Sequence, residues 1–121
     1  MHYELSQTFY FEAAHTLRRT VDAEPSRRIH GHTYLARVTL AGQPDPASGM
    51  LIDLGHLRRA IETLRLELDH RFLDEVEGLG PATLENLCAY LWRALDRLYG
   101  GALAAVEVRR EASGDACLLR R

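Results

Sequence analysis

HGHTYLARVTL, His30 to Leu40, decides how the rest of the chain is read. From His32 onward, Tyr34, Ala36, Val38 and Leu40 alternate with Thr33, Arg37 and Thr39, the period-two pattern of a half-buried strand. Residues 3 to 13 carry Tyr3, Leu5, Phe9 and Phe11 on alternate positions, with Gln7 interrupting, and predict a first strand antiparallel to it. Between them, residues 16 to 29 are polar, Arg-rich and contain Pro25 and Ser26, which reads as a loop.

Beyond the second strand, Gly42 to Gly49 (GQPDPASG) is a turn, and Met50 to Leu54 is short and apolar. Asp53 is a good helix N-cap, and Leu57, Ile61, Leu64 and Leu68 recur at helical spacing, so a helix is expected over 54–68. Asp69 to Pro81 reads as a loop. Thr83 caps a second helix over 84–99, with Leu84, Leu87, Leu91, Leu95 and Leu98 as its buried stripe and Gly100-Gly101 as its end. Ala105 to Val108 and Ala116 to Leu119 read as two closing strands. The order ββααββ predicts an α+β domain, a four-stranded antiparallel sheet with both helices on one face. The other face needs a cover, and a partner subunit is the expected one.

The chain has 121 residues, which predicts one domain, residues 1–121, with a substantial core. A net charge of −2 gives no global attraction for nucleic acid or an anionic membrane, so neither is an expected partner. All fifteen basic residues are Arg, which excludes Schiff-base chemistry on a lysine. The N-terminal MHYELSQTFYF lacks a basic region followed by an apolar run, and no stretch approaches a membrane span. Cys88 and Cys117 make no disulfide framework, so a cytoplasmic, reducing location is expected.

Of six histidines, His30 and His32 flank Gly31 at the mouth of the second strand. Residues two apart on a strand point the same way, so the two imidazoles form a pincer, and Gly31 is expected to let the backbone approach closely. Pairing of the two strands brings His15, at the far end of the first, beside them. Three imidazoles with an open fourth position are the pattern of a catalytic zinc site, although they also suit nickel and copper. His2, at the terminus, and His56, on a first helical turn, are left outside this site. Asp69 and His70, an adjacent carboxylate and imidazole after a helix, form a plausible proton-transfer unit, although Asp69 also suits a helix end.

FEAAH (Phe11 to His15), HGHTY (His30 to Tyr34), IDLGHL (Ile52 to Leu57), LDHRFLD (Leu68 to Asp74) and TLENL (Thr83 to Leu87) together resemble the 6-pyruvoyl-tetrahydropterin synthase family, most of all its bacterial 6-carboxy-tetrahydropterin synthase branch. The resemblance spans nearly the whole chain in order. It implies the tunnelling fold, with subunits assembled into a barrel of trimers, often stacked as hexamers, and active sites at subunit interfaces. It also implies a zinc-dependent lyase acting on 7,8-dihydroneopterin triphosphate. In that chemistry zinc holds side-chain oxygens, a cysteine thiolate and an Asp-His pair move protons, and a glutamate on a late strand grips the pterin. Carried over, His15, His30 and His32 match the zinc ligands, Asp69 and His70 the Asp-His pair, and Thr83 and Glu85 the segment beside the pterin.

Two positions depart from the pattern. Where the family has its cysteine, four residues before His30, this chain has Ser26, whose hydroxyl is far less acidic than a thiol. Glu24, in the same loop, is a candidate replacement base. At the pterin anchor the run is Val106-Glu107-Val108-Arg109-Arg110-Glu111, which puts Arg110 in place of the glutamate. Glu111 is one residue late, and on a strand that turns a side chain to the opposite face unless a bulge intervenes. An Arg offers donors only and suits a carboxylate or phosphate. Three readings follow: a pterin lyase, a zinc enzyme of the same scaffold with a non-pterin anionic substrate, and a non-catalytic zinc-binding oligomer.

Overall fold

The structure, a computed structural model, describes residues 1–121. In chain order it contains β1 (Tyr3–His15), α1 (Ala23–Arg27), β2 (His30–Gly42), α2 (Leu54–Leu68), β3 (Arg71–Phe72), α3 (Leu84–Tyr99), β4 (Leu103–Arg110) and β5 (Asp115–Arg120). Short 3-10 turns follow β3 (Leu73–Glu75) and α3 (Gly100–Ala102). The two long helices and their caps lie where the sequence places them. The Asp53 carboxylate accepts from the Gly55 N–H at 2.8 Å, and the Thr83 hydroxyl accepts from the Asn86 N–H at 3.1 Å. Gly100, at φ 50°, ends α3 in a conformation that favours glycine.

The sheet corrects the expectation in two respects. It has five strands rather than four, ordered β3-β1-β2-β4-β5, and it is mixed rather than antiparallel throughout. The added strand is the two-residue β3, which runs parallel to the end of β1 at Ala13–Arg71 and Ala14–Phe72. Two residues carry no detectable periodicity, and they sit inside a stretch that composition marks as loop. The segment 16–29 likewise holds a one-turn helix, α1, within what reads as plain loop.

β1 and β2 pair over thirteen positions, from Tyr3–Gly42 to His15–His30. Phe9, Phe11 and Ala13 of β1, Tyr34, Ala36, Val38 and Leu40 of β2, and Val106 and Val108 of β4 are buried under the helices. α2 covers β1, and α3 covers β4 and β5. α2 buries Leu57, Ile61, Leu64 and Leu68, as its spacing requires. In α3 the stripe is Leu84, Leu87, Cys88, Leu91 and Leu95; Leu98, expected in it, is 64% exposed. After Leu95 the buried row continues toward Tyr99, and Leu98 has rotated out of it.

The opposite face is mixed: Thr8, Arg37 and Glu107 share one cross-strand row with Leu118, and Tyr10, Leu35 and Arg109 share the next with Ala116, with Tyr10 and Leu118 exposed. The single chain leaves the sheet open: β5 is one edge, and β1 before Ala13 is another.

Candidate metal centre

His15, His30 and His32 all lie on the helix-covered face, because odd positions of β1 pair with even positions of β2. Their ligand nitrogens lie within 4.8 Å of one another. The rings stand at 69°, 86° and 90° to one another, so the nitrogens converge instead of stacking. Nε2 of His15 and Nε2 of His32 are 3.0 Å apart. Two nitrogens on one tetrahedral zinc stand about 3.3 Å apart. The donor set therefore fits a divalent metal with modest adjustment of His30.

The backbone fixes the tautomers. His15 Nδ1 lies 2.9 Å from the Ala82 carbonyl, and His30 Nδ1 lies 2.7 Å from the Arg28 carbonyl. A carbonyl only accepts, so both Nδ1 atoms carry the proton and both Nε2 atoms keep the lone pair a metal needs. His15 is fully buried. Burial pushes its pKa down, against a smaller opposing pull from the Ala82 hydrogen bond. Burial, followed by the neighbouring His15 and Arg110, pushes His32 down to about 4. Both imidazoles are therefore neutral at pH 7, the ligating form.

The segment after His15 is tied down by Asp74, whose carboxylate accepts from the Thr16 backbone N–H at 2.9 Å and from the Thr16 hydroxyl. Sequence reasoning gave Asp74 no role beyond membership of LDHRFLD, and the Ala82 carbonyl carries no side-chain signal at all. Gly31 corrects one expectation. A Cβ there would meet only the Ala13 carbonyl oxygen at 3.7 Å, an ordinary contact, so close approach within the chain does not require glycine.

His30 and His32 open onto a cavity of about 370 Å³ that is also lined by Ser26, Arg110, Asp115 and Arg19. Ser26 is buried, and its hydroxyl donates to the Ala23 carbonyl at 2.8 Å, which leaves it a polar wall without an activating base. Glu24 is outside the cavity: its side chain is 83% exposed and pairs with Arg28 at 3.2 Å. Arg110 continues the alternation of Val106 and Val108 and faces the site, while Glu111 sits exposed in the turn. The β4–β5 pairing runs without a bulge through Arg110–Asp115, and Glu111 lines a separate cavity of about 580 Å³ that His32 and Arg110 also border. Neither cysteine is near. Burial pushes the Cys88 thiol up to about 12, and its Sγ donates to the Cys117 carbonyl at 3.4 Å.

Asp69 and His70 stand apart from the trio. Asp69 caps α2 and accepts from the Glu12 N–H at 2.9 Å and from Arg65 at 2.8 Å. The Glu12 N–H holds its carboxyl below the usual range, helped by His70 and Arg65. His70, at φ 57°, donates its backbone N–H to the Glu12 carbonyl at 2.6 Å. Its ring is 76% exposed, with Nε2 3.6 Å from Asp69, beyond hydrogen-bond range. It lines a cavity of about 490 Å³ with Glu12, Ala14, Gly31 and Thr33, and His32 of the trio borders the same cavity. Thr83 caps α3 and Glu85 is exposed on its first turn; this segment meets the trio through the Ala82 carbonyl.

The model of one family, described as 6-pyruvoyl tetrahydropterin synthase, matches residues 4–120. A putative 6-pyruvoyl tetrahydrobiopterin synthase of Caenorhabditis elegans is 36% identical over 98 residues, 70% of each chain. The 6-carboxy-5,6,7,8-tetrahydropterin synthase of a Synechocystis strain is 32% identical over 105 residues, 83% of this chain and 80% of that one. The match to the 6-pyruvoyl tetrahydrobiopterin synthase of Drosophila melanogaster, 42% identical, spans 52% of this chain and only 40% of that protein. Among solved structures, a Caenorhabditis elegans 6-pyruvoyl tetrahydropterin synthase superposes with a TM-score of 0.83 at 24% identity, over 100% of this chain and 96% of that one.

Proposed function

This chain belongs to the 6-pyruvoyl tetrahydropterin synthase family, and on that premise we propose that it is a zinc-dependent lyase acting on 7,8-dihydroneopterin triphosphate or a related pterin. The observation that carries the reading is the converging trio His15, His30 and His32, with tautomers set by backbone carbonyls and an open side facing a cavity. The three imidazoles would hold zinc, which when bound polarises oxygen ligands and acidifies what is attached to them.

The chain's own residues divide the remaining work. Ser26 and Arg110 shape the cavity wall beside the trio. His70, with its ring exposed at the cavity that His32 also borders, is the imidazole this reading assigns to proton transfer. In this reading a second copy completes the site around the two cavities that His32 borders. Self-assembly as a trimer or hexamer fits this requirement and the open strand edges at β1 and β5.

The test is zinc-loaded protein at high concentration with 7,8-dihydroneopterin triphosphate, followed for triphosphate release and change in the pterin side chain. Turnover is expected, with a fall of about 10²–10⁴-fold in His70→Ala. No turnover in the wild type would remove the lyase reading.

A further inference from the structure

In the whole chain two buried polar side-chain atoms lack a hydrogen-bond partner, Arg110 Nε and the Tyr34 hydroxyl. Both belong to the face that carries the trio. The β2–β4 register pairs Leu35 with Arg109 and Ala36 with Val108, so Tyr34 and Arg110 follow on the next rung of that face. The Tyr34 ring lies 5.7 Å from the His32 ring and 6.5 Å from the His15 ring. Arg110 lines the cavity onto which His30 and His32 open.

A guanidinium has five N–H donors and no acceptor. Here one contact engages it: Nη2 donates to Asp115 at 3.1 Å, and Asp115 also accepts from the Ser113 hydroxyl at 2.9 Å. The side chain is 18% exposed, so water reaches little of it. The Tyr34 hydroxyl, buried and without a partner, has its O–H free to donate. Arg19 adds a second cation to the cavity; Asp22 and Asp115 are its carboxylates, and Arg110 and Ser113 already engage Asp115. Donors without acceptors, beside a candidate metal, call for an acceptor from outside the chain.

We infer that Arg110, backed by the Tyr34 hydroxyl, is an oxyanion subsite that holds a carboxylate or phosphate of the substrate beside the histidine trio. The inference rests on the lyase reading only in assuming that a substrate enters this cavity. It makes Arg110 a specificity-determining residue: a ligand presenting N–H donors at this point meets donors and is rejected, and one presenting an oxyanion is gripped by a planar fork.

The experiment compares wild type, Arg110→Gln and Asp115→Asn as full-length zinc-loaded proteins, titrated with inorganic phosphate, acetate and unsubstituted pterin. Affinity is read from the ligand-dependent rise in Tm. At least one anion should bind wild type tenfold or more tighter than Arg110→Gln, and unsubstituted pterin should bind wild type more weakly than that anion does. The tighter anion identifies the group as phosphate or carboxylate. Asp115→Asn, at the exposed start of β5, removes the internal competitor and should tighten anion binding severalfold. Equal anion binding by wild type and Arg110→Gln, or none by either wild type or Asp115→Asn, overturns the subsite. Turnover of the pterin triphosphate with unchanged KM in Arg110→Gln removes the subsite and keeps the lyase. Arg110-dependent anion binding without turnover does the reverse.

Discussion

The histidine trio and the Asp69–His70 pair lie at the same end of β1, yet they are built in opposite ways. The trio is turned into the helix-covered face, with His15 fully buried and two tautomers set by carbonyls. The pair is laced to the Glu12 backbone on the far edge of β1, with the His70 ring exposed. One set converges with its first member buried and the other two opening onto a cavity, an arrangement suited to holding an ion; the other has a backbone tied to β1 and an exposed side chain, suited to meeting something that arrives. The difference teaches that one end of one strand carries both a converging, partly buried cluster and an exposed imidazole beside it.

The comparison breaks most visibly at His15. His15→Ala should lower metal affinity on the order of 100-fold or more and destabilise the metal-free protein by about 3 kcal/mol, from lost packing and the orphaned Ala82 carbonyl. His70→Ala should leave metal stoichiometry intact and stability within about 0.5 kcal/mol. Metal analysis of the purified variants with chemical denaturation separates them. Similar losses in both variants would mean that the two regions form one site within the chain.

Acid sharpens the contrast. The folded pKa values of His15 and His32 lie below 6.5, so the unfolded chain binds protons that the metal-free fold resists. Their contribution to stability is present above pH 6.5 and is lost as pH falls from there toward about 4. Asp69, also depressed, loses its contribution lower, as pH falls below 3.8. Metal-free Tm should therefore decline across the first window, and His32→Gln should flatten that decline. A wild-type Tm unchanged from pH 6.5 to 4 would contradict the burial argument.

The smallest effect belongs to Glu24. Glu24→Gln removes an exposed pair with Arg28 and should change stability by less than about 0.5 kcal/mol and leave metal content unchanged. A large loss of turnover in this variant would show that the loop rearranges to bring the carboxylate inward.

Much of this was legible in advance because it follows from short-range periodicity. Alternation along β1 and β2 placed three imidazoles together, and Asp53 and Thr83 marked where helices begin. What was illegible depends on backbone contacts or on register. The Ala82 and Arg28 carbonyls that orient two histidines have no residue-specific signature. The adjacency of Asp69 and His70 in sequence gave no sign that a left-handed residue turns the imidazole away. The choice between Arg110 and Glu111 waited on the β4–β5 ladder, which runs unbroken through Arg110.

His15 and His30 are paired neighbours that bracket the fourteen residues between them, a segment that holds α1, four of the chain's arginines and the cavity wall. An ion held by both would close that segment as a reversible cross-link, lowering the entropy of its open forms much as a disulfide does. Occupancy and the order of the segment then become one equilibrium: demetallation would loosen the cavity wall along with the ligands, and resistance to proteases between residues 16 and 29 would report whether the ion is in place.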